Sequence, residues 1–107
     1  MIKMSEFKIY VPKFHNLKVL GLFKRATNRK KLYSKVLNSF KGFTILNGNL
    51  GFWKNDKNEV FKDDIEIIQI FTHYRNENKI KSICEYIKGE FSQESVLYTK
   101  GEKEKFI

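Results

Sequence analysis

The sequence predicts an α+β fold: a single antiparallel sheet with two helices on one face, in the β-α-β-β-α-β order of a ferredoxin-like sandwich. Three observations predict it. Leu32, Val36 and Phe40, and later Ile80, Ile83, Cys84, Ile87 and Phe91, recur at helical spacing. Phe7–Val11, Phe43–Trp53, Ile65–Phe71 and Ser95–Thr99 carry strand patterns, rich in β-branched and aromatic residues. Gly42, the polar turn Asn55–Asn58 and Gly101 punctuate these elements. At 107 residues the chain is expected to be one domain, 1–107. Within it, 1–41 form a strongly basic strand-loop-helix part, and 42–107 form a hairpin, a helix and the last strand.

Phe7, Ile9 and Val11 share one face of the first strand, with Lys8 and Tyr10 on the other, and Pro12 ends it. Within residues 13–27, Leu17, Val19, Leu20, Leu22 and Phe23 are apolar but not cleanly periodic, and Gly21 interrupts them, so a partly ordered connection with a helical turn is expected. Thr27 or Asn28 offers an N-cap for a helix of about four turns that Gly42 closes as a left-handed C-terminal residue. Gly42–Asp56 holds three of the six glycines and the sole tryptophan. It reads as a strand, a turn or bulge at Asn47-Gly48-Asn49, a resumed strand, and a polar hairpin turn at Asn55–Asn58. Ile65–Phe71 is the strongest strand and suits a central position. Asn76 or Asn78 caps the second helix, Gly101 turns the chain, and Lys105–Ile107 add a short terminal pairing.

Hydrophobic residues make up 41% and aromatics 15%, which excludes a disordered chain. No apolar run reaches the roughly 18 residues of a membrane span, so no membrane partner is expected. Met1–Glu6 has no apolar signal region, and one cysteine, Cys84, makes no internal disulfide. Both point to the cytoplasm. Cys84 falls on the apolar stripe of the second helix, where a small buried residue is the plain interpretation.

The net charge of +9 is unevenly distributed. Residues 1–41 hold nine lysines and two arginines against Glu6 alone, a net +10, and residues 42–107 are close to neutral. A codon bias toward lysine explains many cations, but not why acids avoid the first 41 residues. Such asymmetry favours an anionic partner, a nucleic acid, a nucleoprotein complex or an acidic protein surface. Lys24, Arg25, Arg29, Lys30, Lys31 and Lys35 are the candidate contacts. Arg29, Lys30 and Lys31 crowd a helix start, where the macrodipole disfavours cations and a bound phosphate would relieve them.

Catalytic signals are sparse. The chain has no P-loop, no dinucleotide fingerprint, no nucleophile elbow and no H-E-x-x-H. His15 and His73 are the only histidines, and His73 with Asp63 and Asp64 is a poor metal set. No cofactor, metal or catalytic residue is expected, and the balance falls against an enzyme. The alternative pocket is Trp53, His73 and Glu94. A Lys41-Gly42-Phe43 triplet sits on the wrong strand for an RNA-recognition motif.

Phe40, Phe43-Thr44, Gly51-Phe52-Trp53, the turn at Asn55-Asp56 and Gln93-Glu94-Ser95-Val96-Leu97 resemble a family of small bacterial and phage domains of unknown function over about residues 40–107. The resemblance implies the same ferredoxin-like fold and carries no activity. The first reading is therefore a non-enzymatic binding protein of a phage or mobile element, whose basic N-terminal face engages nucleic acid or a host defence complex as an inhibitor. A small enzyme or nucleotide or metabolite binder near Trp53, or a homodimeric module, is the alternative.

Overall fold

The computed structural model describes residues 4–17, 23–26, 29–91, 93, 95–101 and 103–107. Its elements are β1 (Met4–Pro12), β2 (Phe14–Leu17), β3 (Phe23–Ala26), α1 (Lys30–Phe40), β4 (Thr44–Lys54), β5 (Val60–His73), a 3₁₀ turn (Tyr74–Asn76), α2 (Glu77–Glu90), β6 (Leu97–Lys100) and β7 (Lys103–Phe106). The main sheet runs β4-β5-β1-β6-β7, and every pairing is antiparallel. Its first four strands and the two helices make the expected ferredoxin-like α+β set. β7 extends the edge, as the terminal pairing anticipated.

Alternation decides which side of the sheet is buried. Phe7, Ile9 and Val11 of β1, Ile68 and Ile70 of β5 and Tyr98 of β6 point to one side. There they meet Leu32 and Val36 of α1 and Ile80, Ile83, Cys84 and Ile87 of α2 in one cluster. Cys84 is thus the small core residue its place on the stripe suggested. The other side of the sheet is polar around β1, where Gln69 Nε2 donates to Glu6 Oε2 at 3.1 Å and Lys8 lies 3.6 Å from Glu6.

β1 pairs with β5 from Met4 opposite His73 to Pro12 opposite Ile65. Beyond Ile65 the β4–β5 hairpin continues without β1 beside it, so Leu50, Phe52 and Val60 are exposed there. The register shifts between Leu46 and Asn49, where Gly48 takes φ +79°. This is the bulge the Asn-Gly-Asn sequence suggested. Asn55 organises the hairpin turn: its Oδ1 accepts from the backbone N–H of Lys57 and Glu59.

Three expectations are corrected. Residues 13–27 contain no helical turn among those described. β2 and β3 pair from Phe14 opposite Ala26 to Leu17 opposite Phe23, where two short runs satisfy each other's backbone by pairing. The proposed caps Thr27 and Asn28 lie outside the described residues, and α1 begins at Lys30 with Arg29 at the cap position and no side-chain cap. The helix spans 11 residues, nearer three turns than four. It closes on Lys41 (φ 66°), whose N–H reaches Leu37 O, one residue before Gly42. A left-handed lysine costs about 1 kcal/mol, which that closing bond offsets.

Candidate functional site

Two arrangements meet at the first turns of α1, one on each side of the helix. On the sheet side lies Glu66. β5 alternation turns it toward the helices with Ile68 and Ile70, so a carboxylate enters the edge of the core and is 6% exposed. Its charge is met from α1: Arg29 Nε donates to Glu66 Oε2 at 2.9 Å, and the Tyr33 hydroxyl donates to Glu66 Oε1. Arg29 Nη2 also donates to the Pro12 carbonyl at 2.9 Å, tying the helix start to the end of β1. Burial, and then the bond and charge of Glu66, push the Tyr33 phenol up to about 12, against the smaller opposing effect of Arg29. Its ring lies 5.3 Å from that of Phe43. Both oxygens of the carboxylate are thus engaged, and the cation it holds is the Arg29 guanidinium.

On the α2 side, Lys30, Lys31, Ser34 and Lys35 face Tyr86 and Glu90 across a cleft of about 340 Å³. Lys35 Nζ sits 4.7 Å above the Tyr86 ring, and the Phe91 ring meets Tyr86 edge-on at 6.3 Å. No acidic residue lies in the first turn of α1. Lysines and the positive end of the helix therefore add, giving a field that attracts anions.

A parallel arrangement occupies the start of α2, at the opposite end of the sheet. The Tyr98 hydroxyl donates to Glu77 Oε2 at 2.7 Å, and Lys100 Nζ lies 3.0 Å from Glu77 Oε1. Burial, and then Glu77, raise the Tyr98 phenol. Each helix is thus anchored at its N-terminal end to a strand by a tyrosine, a glutamate and a cation.

The sequence-derived candidates fall in different places. Lys30, Lys31 and Lys35 come together at the cleft. Arg29 does not join them, because it is turned inward onto Glu66 and Pro12. The side chains of Lys24, Arg25 and Trp53, and all of Glu94, lie outside the described residues. The Trp53–His73–Glu94 pocket is corrected by the sheet register: Trp53 pairs with Phe61 near the hairpin turn, and His73 ends β5 at the far end of that strand, about 40 Å of extended chain away. His73 instead accepts from Arg75 N–H at its own Nδ1 and stacks on Tyr74 at 4.7 Å. Among the described residues no three His, Cys, Asp or Glu side chains converge to hold a metal. No helix among them is long and apolar enough to cross a membrane.

Sequence reasoning missed Glu66 and Tyr33. The signal was present: Glu66 breaks an otherwise apolar run in the strand expected to be most buried, and such a charge needs a partner. The partner is 37 residues away in sequence, which no local pattern exposes.

With this geometry in hand, comparison with known proteins gives two matches. The family profile described as "Protein of unknown function (DUF3574)" matches residues 23–106. Among solved structures, a phage SAM lyase in complex with S-methyl-5'-thioadenosine has the same fold, with a TM-score of 0.69 and 12% sequence identity over 97% of this chain and 88% of that one. No curated protein matches in sequence.

Proposed function

The chain belongs to the family described as Protein of unknown function (DUF3574), and from that premise we propose that it is a phage-type protein that binds, and cleaves, an adenosine sulfonium of the S-adenosylmethionine class. The observation that carries this is the shared chain course with the phage lyase, which extends through almost the whole of both chains. A lyase that leaves S-methyl-5'-thioadenosine breaks the bond between the sulfonium sulfur and the amino-acid side chain. The sulfur keeps the electron pair and departs as a neutral thioether. As that bond breaks, the adjacent carbon gives up a proton and an alkene forms, or the fragment's own carboxylate displaces the sulfur and closes a ring. Positive charge at sulfur disappears along the reaction, so a site with little water favours cleavage. Glu66, Tyr33 and Phe43 are the groups we assign to that site, the rings offering π faces to the sulfonium and the Arg29-paired carboxylate of Glu66 holding Tyr33 in place.

The test is incubation of the purified protein with S-adenosylmethionine, with mass-spectrometric detection of S-methyl-5'-thioadenosine and calorimetric titration with the thioadenosine itself. Product formation that Glu66→Gln abolishes is expected. Neither turnover nor binding of either nucleoside would overturn the proposal.

A second proposal is favoured by the +10 charge of residues 1–41 and the convergence of Lys30, Lys31 and Lys35: a cytoplasmic anti-defence inhibitor whose basic face engages nucleic acid or a nucleoprotein. Affinity capture from lysate with and without nuclease, repeated with a Lys30/Lys31/Lys35 charge-reversed variant, tests it. Capture indifferent to both treatments would remove this alternative.

A further inference from the structure

We propose that the cleft between the first turns of α1 and the last turn of α2 binds one nucleotide unit, its phosphate on Lys31, Ser34 and Lys35 and its base on Tyr86. The inference rests on the anionic-partner proposal and deepens it by naming the chemical unit. The sulfonium proposal concerns the other side of α1 and a ligand of opposite charge.

The residue types in the cleft select the ligand. Lys31 and Lys35 are four apart on α1, so their stems lie side by side and their ammonium groups repel. A phosphate between them converts that repulsion into two charge-assisted hydrogen bonds, with the Ser34 hydroxyl as a third donor. Tyr86 supplies a ring at the opposite wall. At present the Lys35 ammonium rests over that ring at 4.7 Å. An exposed cation–π contact is weak beside an ammonium–phosphate contact, so an arriving phosphate draws Lys35 away and uncovers the ring for a base. Burial, then Glu90, raise the Tyr86 phenol. Glu90, which also lines the cleft, accepts from a sugar hydroxyl or an exocyclic amine. It also repels further phosphates, so a monophosphate or a phosphodiester is favoured over a triphosphate. The volume of about 340 Å³ suits a small ligand rather than a duplex.

The experiment is calorimetric titration of the full chain with inorganic phosphate, AMP, ATP and a short single-stranded oligonucleotide. It is repeated with Lys31→Gln/Lys35→Gln and with Tyr86→Leu, whose folding is checked by circular dichroism. AMP is expected to bind about tenfold more tightly than phosphate, because a stacked base adds roughly that factor, and more tightly than ATP. Both variants should lose about tenfold. Oligonucleotide binding lost in the same variants also supports the cleft and identifies a strand as the source of the unit. Oligonucleotide binding untouched by the variants overturns the cleft but leaves the anionic-partner proposal standing. Binding of neither AMP nor oligonucleotide overturns both.

Discussion

Arg29 and Glu66 form the most enclosed ion pair described in the chain: Nε and Oε2 lie 2.9 Å apart, with side-chain exposures of 13% and 8%. The pair joins the start of α1 to the middle of β5, and Tyr33 closes it from the next turn of the helix. Removing one partner leaves a charge in a poorly solvated place. Arg29→Ala and Glu66→Leu should therefore each destabilise the fold by about 3 kcal/mol. The Arg29→Ala/Glu66→Leu double variant should cost less than the sum of the two single changes. Urea unfolding of all three completes the cycle. Additive costs would show that the contact contributes no coupling.

How far the sequence discloses this architecture depends on the range of the forces involved. Ile80, Ile83, Cys84 and Ile87 follow one stripe, and Phe7, Ile9 and Val11 one strand face, because burial of a regular element imposes its own period on the residues. The hairpin turn at Asn55 and the bulge at Gly48 are likewise local, set by side-chain-to-backbone bonding and by a positive φ. The pairing of β2 with β3 and the seat of Glu66 are not local. Both depend on what another segment brings, and neither Arg29 nor Tyr33 marks itself in the sequence as belonging to Glu66. The pocket imagined around Trp53 and His73 failed for a related reason, since hairpin register places them at opposite ends of the sheet.

The Cys84 thiol is fully buried. Burial, with a smaller push from Glu85, moves it up to about 12. Thiolate is the reactive form, so Cys84 should resist a thiol reagent at pH 8 while the chain is folded and react promptly in guanidinium chloride. The time course of colour release under both conditions checks this. Rapid native-state labelling would mean that α2 opens readily from the sheet.

Gly48 carries the bulge with φ +79°, and no atom lies within 4 Å of where a Cβ would sit. Gly48→Ala should therefore cost about 1 kcal/mol through backbone conformation alone, without a steric clash. Gly51→Ala differs in mechanism. Its Cβ would lie 2.6 Å from Ile65 Cδ1, the end of a flexible side chain that can turn aside. Thermal melts of the two variants should separate these causes when Ile65→Val is added. That background should relieve Gly51→Ala and leave the cost of Gly48→Ala unchanged.

Alkaline pH should destabilise this protein through the buried Cys84 and Tyr98 and the half-buried Tyr33. Cys84, Tyr33 and Tyr98 all lose their protons at higher pH in the folded chain than in the unfolded one, where the thiol titrates near 9 and the phenols near 10. Below pH 9 both states hold these protons and the three groups give no slope. As pH rises past 9 and then 10, the unfolded chain releases protons that the folded chain keeps, so stability falls with each further unit. The loss continues until the folded thiol and the Tyr33 phenol themselves titrate at about 12. Urea midpoints between pH 8 and 11 should decline, and the decline should be shallower in Tyr33→Phe and Tyr98→Phe. Both variants should also be less stable at pH 8, by about 1 kcal/mol each for the lost hydrogen bond. In an absorbance titration at 295 nm, Tyr33, Tyr86 and Tyr98 should ionise at higher pH than a free phenol, with Glu66 and Glu77 adding to burial for Tyr33 and Tyr98. All five titrating together near pH 10 would show that Glu66 and Glu77 do not hold those phenols in solution.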